Sequence, residues 1–216
     1  MTQIINYWIL TNPRSGSYFL SSLLNNSGKF NPLFKEYLNK DNDEFINPNK
    51  EIPKNCKVHG YQFNTYFSSL DELENKIGKT KYILLERENI YDRVISDYFA
   101  RYTDVWKCTK KDKKIQTKFQ IVEVPYDLKK IMKIYKSYQI EPKWNIDKDH
   151  LKVSYEELFK NTELTLIKIF KYFEIKITNQ EINKMICSKN TTIKLDREDK
   201  KQYIERFKEF INTHKE

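Results

Sequence analysis

The run YWILTNPRSGSYFLSSLL, from Tyr7 to Leu24, passes from a short apolar stretch through Asn12-Pro13-Arg14-Ser15-Gly16-Ser17 into a second apolar stretch of helical length. It reads as strand, loop and helix. Small residues let successive backbone N–H groups converge on an anion, the helix N-terminus adds its positive dipole end, and Arg14 supplies a fixed charge beside it. The signature of the common nucleotide-hydrolysing loop needs a second glycine and a lysine before the hydroxyl residue. Neither stands here, so the loop reads as an anion cradle without the lysine-and-magnesium arrangement. The same residues also allow an ordinary strand-to-helix turn, with Pro13 ending the strand and Ser17 capping the helix.

Outward from that run, strands and helices alternate. KYILLE, from Lys81 to Glu86, reads as a buried strand, followed by Arg87 and by a helix with Ile90, Val94, Ile95, Tyr98, Phe99 and Tyr102 on one face. A strand is expected at Cys56–Phe63 and another at Leu151–Ser154, the latter leading into a helix that carries Leu158, Leu166, Ile169, Phe170 and Phe173. The pattern predicts an α/β fold: a P-loop-like parallel sheet of about four or five strands with helices on both faces. Ligands of such sheets lie beyond the carboxyl ends of the strands, where Asn12–Ser17, Arg87 and Tyr155 emerge.

At 216 residues the chain is expected to form one domain, 1–216. Its formal charge of +9 suits an anionic ligand or acceptor, although lysine and asparagine are abundant throughout. The stretch KCTKKDKKIQTK, 107–118, reads as a basic surface loop placed where it can cover a site, and 200–211 as an amphipathic terminal helix. Cys56, Cys108 and Cys187 are too scattered for a zinc site or a disulfide frame, so they read as free thiols of a reducing compartment. With no apolar run near the ~20 residues of a membrane span and no leader pattern, a cytoplasmic protein is expected.

Three separated motifs, in order, resemble the sulfotransferases that use 3'-phosphoadenosine 5'-phosphosulfate (PAPS). TNPRSGSYFLSSLL resembles their 5'-phosphosulfate loop, in the form found in bacterial trehalose-type and other carbohydrate sulfotransferases. ILLERENIYDRVISDYFARY resembles the 3'-phosphate motif, a strand-end arginine, Arg87, followed nine residues on by a helix serine, Ser96. VSYEELFKN resembles the segment that opens a late helix. The resemblance implies transfer of a sulfuryl group from PAPS to a hydroxyl of a carbohydrate or small-molecule acceptor, with no metal, and with adenosine 3',5'-bisphosphate (PAP) as product. It places Pro13, Arg14, Ser15, Gly16, Ser17 and Tyr18 on the phosphosulfate, Arg87 and Ser96 on the 3'-phosphate, and Tyr155 near the adenine. An acceptor, and not nucleic acid, is the implied partner.

His59 is the leading candidate for the residue that takes the acceptor's proton, and Glu36 is the competing one, expected to orient the acceptor by hydrogen bonding if His59 is the base. Lys57 and His59, two apart on one strand, resemble the K-x-H of cytosolic sulfotransferases, where the lysine contacts the sulfate region and the histidine is the base. Glu36, in NPLFKEYL, resembles the glutamate of trehalose-type enzymes, one residue further from its proline. Arg14 and Lys57 then hold the transferring group. The family's C-terminal GxxGxxK segment is not visible; Ser188–Leu195 stands in its place, with Lys189 or Lys194 reaching the 3'-phosphate. Two rival readings stay open. A metal-dependent P-loop small-molecule kinase lacks its lysine and has Arg87 where an aspartate should hold metal. A non-catalytic polyanion- or nucleotide-binding module rests on the charge of +9 and on the basic run 107–118.

Overall fold

A computed structural model describes residues 5–37, 58–63, 74, 80–139 and 146–214. Their strands are β1 (Ile5–Thr11), β2 (Phe30–Tyr37), β3 (Val58–Phe63), β4 (Thr80–Glu86) and β5 (His150–Ser154). All pair in parallel in the order β2-β3-β1-β4-β5. The helices are α1 (Ser17–Asn26), α2 (Ile90–Thr103), α3 (Lys113–Ile121), α4 (Leu128–Gln139), α5 (Tyr155–Lys160), α6 (Thr162–Tyr172), α7 (Asn179–Cys187) and α8 (Glu198–Thr213).

Side chains alternate across a strand, and here both parities are buried. Tyr7, Ile9, Ile83, Leu85 and Val153 enter one core with Leu20, Leu23 and Leu24 of α1, Leu158 of α5 and Leu166, Ile169 and Phe170 of α6. Trp8, Leu10, Tyr82 and Leu84, of opposite parity, are equally buried. A sheet covered on both faces is what all-parallel strands require. A second core joins Val94, Ile95, Tyr98 and Phe99 of α2 to Ile131 and Ile134 of α4 and to Phe207 and Ile211 of α8. The terminal helix therefore packs on α2.

The structure departs from the sequence reading in three places. Phe30–Tyr37 forms a strand, which Pro32 tolerates because β2 lies at the sheet edge. The basic stretch 107–118 is not a loop throughout: α3 starts at Lys113, anchored by Cys108 and Phe119, both buried. The single helix expected after β5 is divided at Asn161 into α5 and α6. Among the described residues, no helix is long and apolar enough to cross a membrane.

Candidate functional site

At the carboxyl end of β1 the chain makes a tight turn into α1. Arg14 and Gly16 both have positive φ, 63° and 88°, a conformation that glycine adopts freely and arginine only when its surroundings enforce it. Arg87, just past β4, donates from Nη1 to the Arg14 carbonyl at 2.9 Å, and Arg93 of α2 donates from Nε to the Pro13 carbonyl at 2.7 Å. Gly16 lies against the Tyr155 ring so closely that a Cβ there would sit 2.9 Å from Cε2 and nearer still to Cδ2. The turn is thus fixed from β4, α2 and α5 at once.

Several buried polar atoms of this turn have no partner among the described residues: the donors Arg14 Nε, Ser15 Oγ and, beside them, Arg87 Nε, and the acceptor Asn12 Oδ1. Buried donors without partners are rare and mark a missing ligand or strain. Burial pushes the Arg14 pKa down, with Arg87 adding to the effect and Asp97 opposing it. A desolvated guanidinium of this kind gains from an incoming anion. The first-turn N–H groups of α1 have no intrahelical acceptor and face the same end.

A second cationic cluster surrounds Asp92 on α2. Arg87 Nη2 makes an ion pair with its Oδ2, Lys194 Nζ lies 3.9 Å from it, Lys200 Nζ lies 3.7 Å from Oδ1, and the Ser96 hydroxyl donates to Oδ1 at 3.4 Å. Burial pushes the Asp92 carboxyl up, but Arg87, Lys200 and Lys194 together hold it below the ordinary carboxylate range. Lys200 is 4% exposed, and burial brings its pKa from 10.5 down to about 8, Asp92 opposing and Arg87 and Lys194 assisting. Three cations against one carboxylate leave the cluster short of negative charge.

Loop and cluster open into one cavity of about 550 Å³, whose lining includes Pro13, Arg14, Gly16, Ser17, Tyr18, Arg87, Ser96 and Tyr155. Ser15, also expected to bind the donor, is absent from that lining; its hydroxyl is buried beneath the turn. The segment Thr192–Leu195 closes the opposite side, tied down by Thr192 N–H to Ser22 Oγ at 3.0 Å and by Ile193 N–H to the Cys108 carbonyl at 2.9 Å. Lys194 lines the cavity, whereas Lys189 is exposed outside it.

The two candidate bases fall at different ends of the sheet. His59 pairs in register with Asn6 near the start of β1, five residues before Thr11, roughly 16 Å along a parallel strand. Parallel register, beginning at Ile5 and Val58, keeps His59 at the amino end, away from the loop. Glu36 pairs with Gln62, which pairs with Ile9, so it stands at the carboxyl end, just after a register shift of β2 between Leu33 and Glu36. Lys57 lies outside the described residues.

Asp92, Arg93, Trp106 and Lys200 were not singled out by sequence. Lys200 carried a signal: with Ile204, Phe207 and Ile211 it falls on the apolar stripe of α8, where a lysine should not be.

Sheet order, loop and first helix define a P-loop-like α/β protein. Within that class the chain belongs to the Stf0 sulphotransferase family, whose model matches residues 62–210, more than half of its length. No curated protein matches it. Among solved structures it is similar to mouse sulfotransferase SULT7A1 complexed with PAP, at 17% identity and a TM-score of 0.50, over 86% of this chain and 63% of that one. It also matches retinol dehydratase in a complex with retinol and PAP, at 12% identity and a TM-score of 0.41, over 85% of this chain and 64% of that one. The chain thus spans somewhat under two thirds of either solved protein.

Proposed function

We propose that this protein transfers a sulfuryl group from PAPS to a hydroxyl of a carbohydrate or small-molecule acceptor. The observation that carries the reading is that one cavity holds two anion sites at once, the β1–α1 turn with its unpartnered donors and the Arg87–Ser96–Lys194–Lys200 cluster. A nucleotide bearing a phosphate on both the 5' and 3' sides needs such a pair; ATP needs only one.

In this reading Arg14 and the first N–H groups of α1 hold the 5'-phosphosulfate. Lys194, Lys200 and Ser96 receive the 3'-phosphate, while Arg87, engaged at both ends by Asp92 and the Arg14 carbonyl, aligns the two sites. The half-exposed rings of Trp106 and Phe159, both in the cavity lining, offer flat faces to the adenine or the acceptor. In the transfer, the acceptor oxygen forms a bond to sulfur, the sulfur bond to the 5'-phosphate oxygen breaks with its electron pair, and PAP leaves. Positive groups at the turn stabilise that leaving charge. Glu36, at the carboxyl edge of the sheet, is the residue assigned to take the acceptor's proton.

Calorimetry tests the donor site. PAP should bind in the micromolar range without added metal, ATP far more weakly, and Arg87→Ala should abolish PAP binding while leaving the far-ultraviolet circular dichroism intact. Magnesium-dependent ATP binding with none for PAP would refute the proposal and favour a kinase.

A further inference from the structure

We infer that the acceptor is an anionic saccharide chain docking along the wall Val105–Cys108 and the lysines beyond it, an inference that rests on the donor site proposed above. A cavity of about 550 Å³ is the size one drug-sized ligand fills, so a bound donor occupies it and the acceptor presents its hydroxyl at the mouth. Among the described residues, one wall of that mouth is the segment Val105–Cys108. Val105 and Cys108 are buried, and the Thr109–Thr192 bridge fastens the segment to the opposite wall. Between these anchors Trp106 stands 45% exposed and Lys107 is exposed beside it, 5.0 Å from the Tyr18 ring. The Trp106 backbone is rigidly held, since its carbonyl accepts from Arg14 Nη1 at 2.7 Å. An indole held open to water beside a cavity gains free energy when a ligand covers it, and its flat face matches the C–H face of a pyranose.

Charge decides which saccharide. From Lys107 to Lys118 there are six lysines and one acid, Asp112. That acid is already engaged, accepting from the Thr109 N–H at 2.8 Å and its hydroxyl at 2.7 Å. Lys110 donates to the Ile186 carbonyl and Lys118 lies 3.9 Å from Asp104. Lys107, Lys111, Lys113 and Lys114 are exposed and have no carboxylate within ion-pair distance among the described residues. Their mutual repulsion is relieved by an anionic chain that continues outward from Trp106. An acidic peptide would satisfy the lysines and leave the indole unused.

The test compares fluorescence-labelled hexagalacturonate, maltohexaose and hexaglutamate by anisotropy on protein saturated with PAP. Hexagalacturonate should bind about tenfold or more tighter than either other probe, with an affinity that falls as salt rises. Lys111→Glu with Lys114→Glu should weaken it by about tenfold or more, the effect shrinking at high salt, with PAP affinity unchanged by calorimetry. Trp106→Ala should weaken hexagalacturonate and leave hexaglutamate unaffected. Hexagalacturonate binding no tighter than maltohexaose would overturn the inference, and hexaglutamate binding as well as hexagalacturonate, with no effect of Trp106→Ala, would replace the saccharide by an acidic peptide. Wild-type protein that fails to bind PAP would instead refute the donor reading.

Discussion

Replacing Lys200 by methionine, which keeps the length and removes the charge, should move stability and donor affinity in opposite directions. Lys200 is 4% exposed and its pKa falls from 10.5 to about 8 because burial disfavours the ammonium more than Asp92 favours it. At about 1.4 kcal/mol per pH unit, this means that holding Lys200 charged in the folded protein costs roughly 3 kcal/mol at neutral pH. The sign follows from the lowered folded pKa. Below about pH 8 both folded and unfolded chains carry the proton and the full penalty applies. Between about 8 and 10.5 the folded chain releases it first, so stability rises with pH until the penalty is gone.

Lys200→Met should therefore be more stable than the natural protein by up to about 3 kcal/mol at pH 7, or roughly 5 °C or more in melting temperature. The advantage should fade toward pH 10. PAP affinity should fall by about 10- to 100-fold, the worth of one charge-assisted hydrogen bond. The natural protein should lose PAP affinity as pH rises above about 8, by up to tenfold per unit, because binding there takes up a proton on Lys200; the variant should be flat over that range. Urea unfolding and calorimetry at pH 7, 9 and 10 read both effects. A destabilised variant, or one that binds PAP normally, would refute the argument that Lys200 is a buried charge kept for the ligand.

Two further predictions concern the turn and the base. Gly16→Ala should abolish PAP binding, since the new methyl meets the Tyr155 ring and the backbone at φ 88° costs a non-glycine residue roughly 1–2 kcal/mol more; adding Tyr155→Ala should restore part of it, as calorimetry on both variants would show. Glu36→Gln should lower turnover by about 10²-fold or more with PAP affinity unchanged, while His59→Ala should leave turnover within about threefold of normal, because register separates His59 from the turn; the reverse pattern in a sulfate-release assay would return the base to His59.

The turn and its helix were legible because loop chemistry is local: Asn12-Pro13 ends β1, Gly16 supplies the left-handed residue, and Ser17–Leu24 continues as helix. Arg87 and Ser96 were legible for a similar reason, a strand end and one helix face. β2 was not, because Pro32 has no N–H for a strand ladder, and only an edge position makes it acceptable in a strand. The position of His59 was also hidden: its spacing from Lys57 says which side of a strand it shares, whereas distance from the turn depends on the register with β1, which is a tertiary fact. Lys200 and Asp92 lie 108 residues apart and meet only because Phe207 and Ile211 dock α8 on α2.

That docking ties the donor site to the stability of the terminal helix. Arg87, Lys194 and Lys200 bring three positive charges and Asp92 one negative, so the pocket's residual charge of about +2 matches a phosphate dianion. Asp92 does more than lower the charge. Without it the three cations would repel one another in a buried site, and Arg87 would lose the partner that aims its other nitrogen at the Arg14 carbonyl. The same guanidinium thus shapes the left-handed turn on one side and borders the cationic pocket on the other, so a phosphate held in the pocket as proposed would bear on the turn through Arg87. α8 delivers one of the three cations, and the apolar contacts of Phe207 with α2 balance the burial of its charge. If Lys200 receives the 3'-phosphate as proposed, function draws on stability in a specific place: burial disfavours the charge at 200, and the ligand would supply the partner that the fold only partly provides in Asp92.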